Sequence, residues 1–382
     1  MEVVFWIAVL GIAYSYLIYP VLCFIFAKLF GSENPIPTLA DEQLPDISVI
    51  IAAYNEEHCI AERVENLLTQ NYPIEKLHIF IGSDGSTDAT NQILERIDHP
   101  AVNIRLFHPN RGKASTLNDL IELTSTDIIV FSDANTEFTA DALRHLVSGF
   151  NDEKVGAVCG ELELYNSGTS ANKDNLYWRY EQFIKYQESQ LDALLGANGA
   201  IYAIRRELYI PISANTIVDD FQIVMNIAKQ GCRIIYHRSA KALEEVAPSA
   251  GDEGKRRVRI GAGNYQAFSN LFWLLNPNQG WRCFAYVSHK VLRWFTPHLM
   301  LIALISNILI ADQPFYAGFL LLQIIVYGLG IWGIRKIDTG EKTPWFVTFI
   351  AFFLRLNTAL MQGFVMFSRR NLSGTWQRTS RS

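Results

Sequence analysis

The sequence predicts an α/β domain with a mostly parallel sheet, joined to transmembrane and interfacial helices, and three observations carry that prediction. Ile47-Ser48-Val49-Ile50-Ile51-Ala52-Ala53 is a near-continuous apolar run, the pattern of a strand covered on both faces. Similar runs at Leu77–Gly82 and Ile128–Phe131 alternate with helix-period segments, as in a sheet with right-handed crossovers. Residues 3–27 carry no charged side chain, and a helix of that length crosses the hydrocarbon layer.

With 382 residues, 49% hydrophobic and 12% aromatic, the chain exceeds one average domain and supports a large core. A net charge of −5 leaves no basic footprint for nucleic acid. The five cysteines lie far apart, without C-x-x-C spacing, so neither a zinc site nor a disulfide framework is indicated.

Residues 1–30 read as a transmembrane anchor. Glu2 precedes the apolar run and Lys28 follows it, unlike a cleaved leader with a basic start. The positive-inside rule puts the amino terminus outside and everything after Lys28 in the cytosol. Residues 31–46, with Pro35, Pro37 and Pro45, form a linker. The first strand, 47–53, ends in Tyr54-Asn55-Glu56-Glu57, and Ile60, Val64, Leu67 and Leu68 mark a helix over Cys59–Leu68. The second strand, 77–82, turns through Ser83-Asp84-Gly85-Ser86-Thr87-Asp88 into a helix ending near Leu94. A third strand is expected at Asn103–His108, and Arg111-Gly112-Lys113 opens the next helix. The fourth strand, Ile128–Phe131, closes on Ser132-Asp133-Ala134-Asn135.

A strand that closes on Asp-x-Asn places the oxygens of Asp133 and Asn135 on one side of the backbone, and hard divalent cations take such oxygens. A simple turn is the other reading. Tyr54-Asn55, Asp84-Gly85-Ser86 and Asp133-Ala134-Asn135 all fall at the carboxyl edge of the strands, where open α/β sheets bind ligands. No G-x-G-x-x-G follows the first strand, and no G-x-x-x-x-G-K-[ST] is present, so the cleft is nucleotide-like without the dinucleotide or P-loop fingerprint.

The series Ala53-Tyr54-Asn55-Glu56, Ser83–Asp88, Arg111-Gly112-Lys113-Ala114, Ser132–Asn135, Gly196-Ala197-Asn198-Gly199-Ala200, Val218-Asp219-Asp220 and Arg256–Arg259 resembles, in order, that of the family 2 glycosyltransferases. The likeness is to membrane-bound synthases of the cellulose, chitin and hyaluronan type, over residues 47–270. It implies a cytosolic GT-A domain at 47–262 that binds a nucleotide-sugar donor through Ala53, Tyr54, Glu56, Asp84, Lys113, Asp133, Arg256 and Arg259. Tyr54 against a pyrimidine and Asp84 on its imide N–H would favour a UDP-sugar. Asp133 and Asn135 stand where the family has D-x-D, implying Mg²⁺ or Mn²⁺, with an amide in place of the second carboxylate. Asp220 matches the catalytic base, and Asn198, Gly199 and Asp219 lie on the acceptor side. The family's Q-x-x-R-W reads Arg256-Arg257-Val258-Arg259-Ile260, which keeps the arginine and lacks the glutamine and tryptophan.

On chemistry alone, Tyr54 could pack on the first helix and Asp84 could cap a turn. Lys113 could be a solvated helix residue. Asp219 or Asp220 could cap the helix marked by Phe221, Val224, Met225 and Ala228, and 196–200 could be a flexible turn. Lys255, Arg256, Arg257 and Arg259 also suit anionic lipid headgroups as well as a diphosphate.

Residues 263–293 look interfacial, and 294–367 form a C-terminal transmembrane region. Within it, 294–311 and 315–334 cross, separated by Asp312-Gln313-Pro314. The segment 344–367, with Arg355, Asn357 and Gln362, crosses or lies along the inner surface, and a basic tail fills 368–382. The expectation is an inverting transferase, multi-pass in the plasma (inner) membrane with a cytosolic catalytic domain. It would move sugar to a glycan or lipid-linked acceptor in cell-surface or exopolysaccharide synthesis, with polysaccharide-assembly partners. The alternatives are a processive synthase that also translocates its product and a non-catalytic nucleotide-sugar-binding scaffold.

Overall fold

A computed structural model describes residues 1–32, 36–165, 174–245, 250–370 and 374. Pro35 and the tail arginines Arg378 and Arg381 lie outside the described residues. The first helix runs from Glu2 to Phe30 as α1 (Glu2–Ala13), a π-turn at Tyr14–Ile18 and α2 (Tyr19–Phe30).

The central domain then alternates β1 (Ile47–Ala53), α3 (Ile60–Leu68), β2 (Leu77–Asp84), α4 (Thr90–Glu95), β3 (Val102–Phe107), α5 (Lys113–Glu122) and β4 (Ile128–Asp133). Every residue of β1 is buried, and a fully buried isoleucine contributes roughly 1.5–3 kcal/mol, so a one-residue slip of this central strand is strongly resisted. β5 (Thr136–Phe138), α6 (Ala142–Ser148), β6 (Val155–Tyr165), α7 (Asp174–Gln190), β7 (Tyr202–Arg205), α8 (Asp219–Lys229) and β8 (Arg233–Glu245) complete an eight-stranded sheet in the order β3-β2-β1-β4-β7-β6-β8-β5. β1 to β4 are parallel, as are β6 and β8, whereas β7 and β5 run antiparallel to their neighbours. The sheet is therefore mixed.

Two strand ends differ from expectation. β2 continues to Asp84, and β4 continues to Asp133 before turning at Ala134 and Asn135. Asp133 and Asn135 are thus related by a turn rather than by extended period-two geometry.

One face of the sheet packs on α3 and α6 around Ile51, Val64, Leu67, Val130 and Leu146. The other packs on α5, α7 and α8, and this core continues into the apolar helices through Tyr19, Cys23, Ala285, Tyr286 and Trp294. α9 (Ala250–Asn270) packs on the last helix, Trp345–Ser368. It is followed by α10 (Trp281–Ala285), a π-turn at Tyr286–Val291 and α11 (Leu292–Trp294), then α12 (Thr296–Ile308), bent from them by 62°. α13 (Pro314–Asp338) and α14 (Trp345–Ser368) follow. Three described helices, Glu2–Phe30, α13 and α14, are long and apolar enough to cross a membrane, and the bent pair is a fourth if it is one broken span. Leu17, Leu321, Ile324 and Phe349 are among the apolar side chains these helices leave exposed, which marks a membrane protein. Arg355 on α14 pairs with Asp338 at the end of α13.

Candidate functional site

The β1 and β2 loops brace each other before either reaches the cleft. Asn55 sits at φ 57°, a region open to asparagine at little cost. Its backbone N–H donates to Ser86 Oγ at 3.0 Å, and its side-chain oxygen accepts from Thr87 N at 2.7 Å. Glu57 accepts from Ala89 N at 2.9 Å. Gly85 has φ 73°, and a Cβ there would stand 2.5 Å from Asn110 N, so the close approach of this loop requires glycine.

Asp84 is fully buried. Its carboxylate accepts from Arg111 N at 3.0 Å and Gly112 N at 2.7 Å, anchoring the turn that opens α5. That anchor delivers Lys113 to the carboxyl edge of the sheet. Lys113 Nζ lies 2.7 Å from Asp133 Oδ1 and 3.4 Å from Asp219 Oδ2. Burial disfavours its charge, but Asp133 and Asp219 outweigh that and hold the ammonium well above its ordinary pKa.

Across this pair stands Asp220. Its Oδ1 accepts from Phe221 N at 2.8 Å in the first turn of α8. Burial, and then the neighbouring Asp219 carboxylate, push its pKa up to about 6, while Lys113 and Lys185 pull it back. Gly199 fills the gap: a Cβ placed on it would lie 3.5 Å from Asp220 Oδ2 and 3.8 Å from Asp133 Oδ2. Asn198 Nδ2 donates to Gly160 O at 2.7 Å, and Lys185 Nζ donates to Asn198 Oδ1. Arg259 on α9 feels the charges of Asp219 and Asp133, and Arg256 those of Glu244, Glu253 and Asp133.

Lys113, Asp133, Asp219, Asp220, Asn198, Gly199 and the two arginines therefore converge. Ala53 is buried at the end of β1, with Tyr54 half-buried after it. Glu56 uses its backbone N–H on Thr90 Oγ1 at 2.8 Å and accepts from Cys59 Sγ at 3.3 Å, in the brace around α3. Three residues around the site were not singled out by sequence reasoning. Lys185 is buried in mid-helix. Arg63, also buried, donates to Ser132 Oγ at 2.9 Å and stacks over Phe138 at 4.2 Å. Tyr202 stacks on Phe131 with ring centroids 4.4 Å apart. A lysine or arginine amid a helix pattern reads as solvated, so only the fold exposes these roles.

Among the described residues no group of three or more His, Cys, Asp or Glu side chains could hold a metal ion. The side-chain amide of Asn135 has a buried nitrogen without a hydrogen-bond partner, and amide orientation is exchangeable. One carboxylate and one amide fit a hard cation that takes its other ligands from substrate oxygens and water, not one caged by protein alone. A depression of about 560 Å³ lined by Asp41, Tyr72, Lys76 and Arg144 lies at the opposite edge, where β1 and β2 begin.

The glycosyl transferase family 2 model matches residues 48–211, which span β1 to β7 and the Lys113–Asp133 pair. The chain carries a family 2 glycosyltransferase domain. It is 27% identical over 249 residues to a poly-beta-1,6-N-acetyl-D-glucosamine synthase of Staphylococcus aureus, covering 63% of this chain and 60% of the relative. It is also 27% identical over 252 residues to a beta-monoglucosyldiacylglycerol synthase of Nostoc sp., covering 62% and 52%. The match thus spans about 60% or less of these relatives' lengths. Among solved structures, mannosyltransferase PcManGT from Pyrobaculum calidifontis, in complex with GDP-Man and Mn²⁺, superposes with a TM-score of 0.70 at 22% identity. That match covers 96% of this chain and 99% of that one. The family 2 domain thus has a GT-A-like fold.

Proposed function

We propose that the chain is a membrane-bound inverting glycosyltransferase that moves a sugar from a nucleotide-sugar donor to a glycan or lipid-linked acceptor. The observation that carries this reading is the placement of Asp220 near the Lys113–Asp133 pair, with Gly199 beside both carboxylates. The donor diphosphate lies along Lys113 and Arg259, whose charges offset those of the phosphates. Asp133, with the Asn135 amide, would hold Mg²⁺ or Mn²⁺, which would supply Lewis acidity to the leaving diphosphate. The Mn²⁺ in the PcManGT complex supports a divalent cation.

Asp220 accepts the proton of the acceptor hydroxyl as its oxygen attacks the anomeric carbon from the face opposite the diphosphate. The carbon–diphosphate bond breaks, the new glycosidic bond forms with inversion, and Asp220 then releases its proton to solvent. The transition state has oxocarbenium character, so a leaving group whose charge is already offset lowers its energy. Asn198, Gly199 and Asp219 border the acceptor. The domain faces the cytosol, with 1–30 as anchor and 294–367 as the membrane region, and lipid or glycan substrates meet it at the bilayer.

Carboxylates at both 133 and 220 favour an enzyme over a binding scaffold. The test is a panel of UDP- and GDP-sugars with Mg²⁺ or Mn²⁺, reading released nucleoside diphosphate and product length. A uridine donor is expected from Tyr54, with single additions rather than a long polymer from the altered arginine motif. Absence of nucleoside diphosphate release from every donor overturns the reading.

A further inference from the structure

A cavity of about 270 Å³ opens between the end of β6 and the first half of α7, lined by Glu161, Glu163, Trp178, Arg179 and Gln182 among others. None of these belongs to the Lys113–Asp133–Asp220 cluster. β6 and β8 stay paired out to Tyr165 and Glu245, beyond the level at which β4 ends, so the cavity stands on the same edge of the sheet as the candidate site. β7 alone separates β6 from β4, a lateral distance of about 10 Å at ordinary strand spacing. The two places are also joined directly. Glu161 follows Gly160, whose carbonyl accepts from Asn198, and Gln182 lies one helical turn before Lys185, which donates to the same asparagine.

The lining has the chemistry of sugar recognition. Trp178 is half-buried and packs on the core that contains Leu162, which fixes a flat apolar ring at the cavity wall. The polar groups around it are already held in place. Lys241 Nζ donates to Glu163 Oε1 at 2.6 Å, Tyr236 Oη donates to Glu161 Oε2 at 3.2 Å, and Gln182 Nε2 donates to Leu162 O at 2.8 Å. A carboxylate accepts at about four lone-pair sites, so each glutamate retains capacity for a hydroxyl. Arg179 in the wall and Lys241 on Glu163 offset the two carboxylates, so the lining offers hydrogen-bonding groups without the net positive charge a second diphosphate needs, and its charged groups disfavour an acyl chain.

We propose that this cavity is an acceptor-glycan subsite that holds an uncharged sugar one or two units away from the hydroxyl that reacts at Asp220. The inference rests on the transferase reading above and names a second contact for the acceptor. The full chain in detergent micelles with Mn²⁺ is assayed with acceptors of one to four glucose or N-acetylglucosamine units, and donor hydrolysis by water is followed separately. Trp178→Ala and Glu163→Gln are each expected to raise KM for the tetrasaccharide about ten-fold, while donor hydrolysis and monosaccharide use stay within about two-fold of the parent. Trp178→Phe keeps an aromatic face and is expected to retain most of the length preference. Unchanged length dependence in both loss variants overturns the subsite, as does an equal fall in donor hydrolysis, which would mark Trp178 as a packing residue. If the parent turns over no donor, the transferase reading fails. Calorimetric titration with the two tetrasaccharides then decides the subsite: binding weakened about ten-fold by Trp178→Ala supports it, and absence of binding overturns it.

Discussion

Asp220 is set to exchange a proton near neutrality, because burial and Asp219 raise its pKa to about 6. A base acts deprotonated, so the transfer rate is expected to climb between pH 5 and 7 on a limb centred near 6. Asp220→Asn is expected to lower turnover by about 10²–10⁴ and to abolish that limb, read from pH–rate profiles of nucleoside diphosphate release. The same shift has a stability consequence. A carboxyl whose folded pKa lies above its unfolded value of about 3.9 stabilises the fold fully below that value. The contribution is lost as pH rises through about 6. Asp220→Asn is therefore expected to unfold at a temperature equal to or above that of the parent at pH 7.5, a pattern that a merely misfolded variant would not give. The metal ligands lead to a second test. With one carboxylate and one amide, Mn²⁺ alone is expected to bind weakly and to tighten about ten-fold or more when a nucleoside diphosphate is added. Asn135→Asp is expected to strengthen binding of the metal alone, and a chelator to stop transfer by the parent. Calorimetric Mn²⁺ titrations with and without UDP check both binding expectations.

At the scale of elements, α9 carries Arg256 and Arg259 over the site and is itself positioned by α14. A Cβ on Gly363 would lie 2.5 Å from Ala262 N and 2.9 Å from Gly261 Cα, so the two helices touch backbone to backbone. Gly363→Val is expected to cost about 1–3 kcal/mol through overpacking and to raise KM for the donor by moving the arginines. Thermal unfolding in detergent, paired with donor kinetics, reads both effects. β1, β2 and β4 were legible because each is a short, largely apolar run ending in polar residues, and β3 because Val102, Ile104 and Leu106 alternate with polar residues; the motifs at the ends of these strands are contiguous in sequence. The later strands were not, since Val155–Tyr165 and Arg233–Glu245 mix apolar residues with glycine and charge. The antiparallel β7 is only four residues long. For the same reason Lys185 and Arg63 escaped notice: their meaning lies in contacts to residues 13 positions away in one case and 69 in the other. The Asp133–Asn135 pair was legible as chemistry but not as geometry, because a turn replaces the continued strand.

At the scale of the whole molecule, the catalytic domain and the apolar helices share one core, so they are expected to fold as a unit. Tyr19 Oη donates to Glu188 Oε1 at 2.7 Å, and His289 Nδ1 lies 2.6 Å from the same oxygen. His289 Nε2 is 3.2 Å from Glu181 Oε2, and Arg293 pairs with Glu181 as well. α7 thus presents Glu181 and Glu188 to α2, the second π-turn and α11, while Lys185 between them reaches the candidate site. Stripping a buried carboxylate of its partner typically costs about 3–5 kcal/mol, a large share of the stability of an ordinary domain. His289→Leu is expected to destabilise on that scale and to lower transfer, although residue 289 touches neither Asp220 nor Lys113. A stronger form of the test deletes residues 1–31. That removes Tyr19, Cys23 and Ala27 from the core and uncovers Phe183, which stands 5.9 Å from Phe24. The truncated chain is expected to aggregate on size-exclusion chromatography and to release no nucleoside diphosphate. A monodisperse truncated protein that still turns over donor would show instead that the sheet and α7 fold without the first helix, and that the Glu181–His289–Glu188 network tunes the site rather than holding it together.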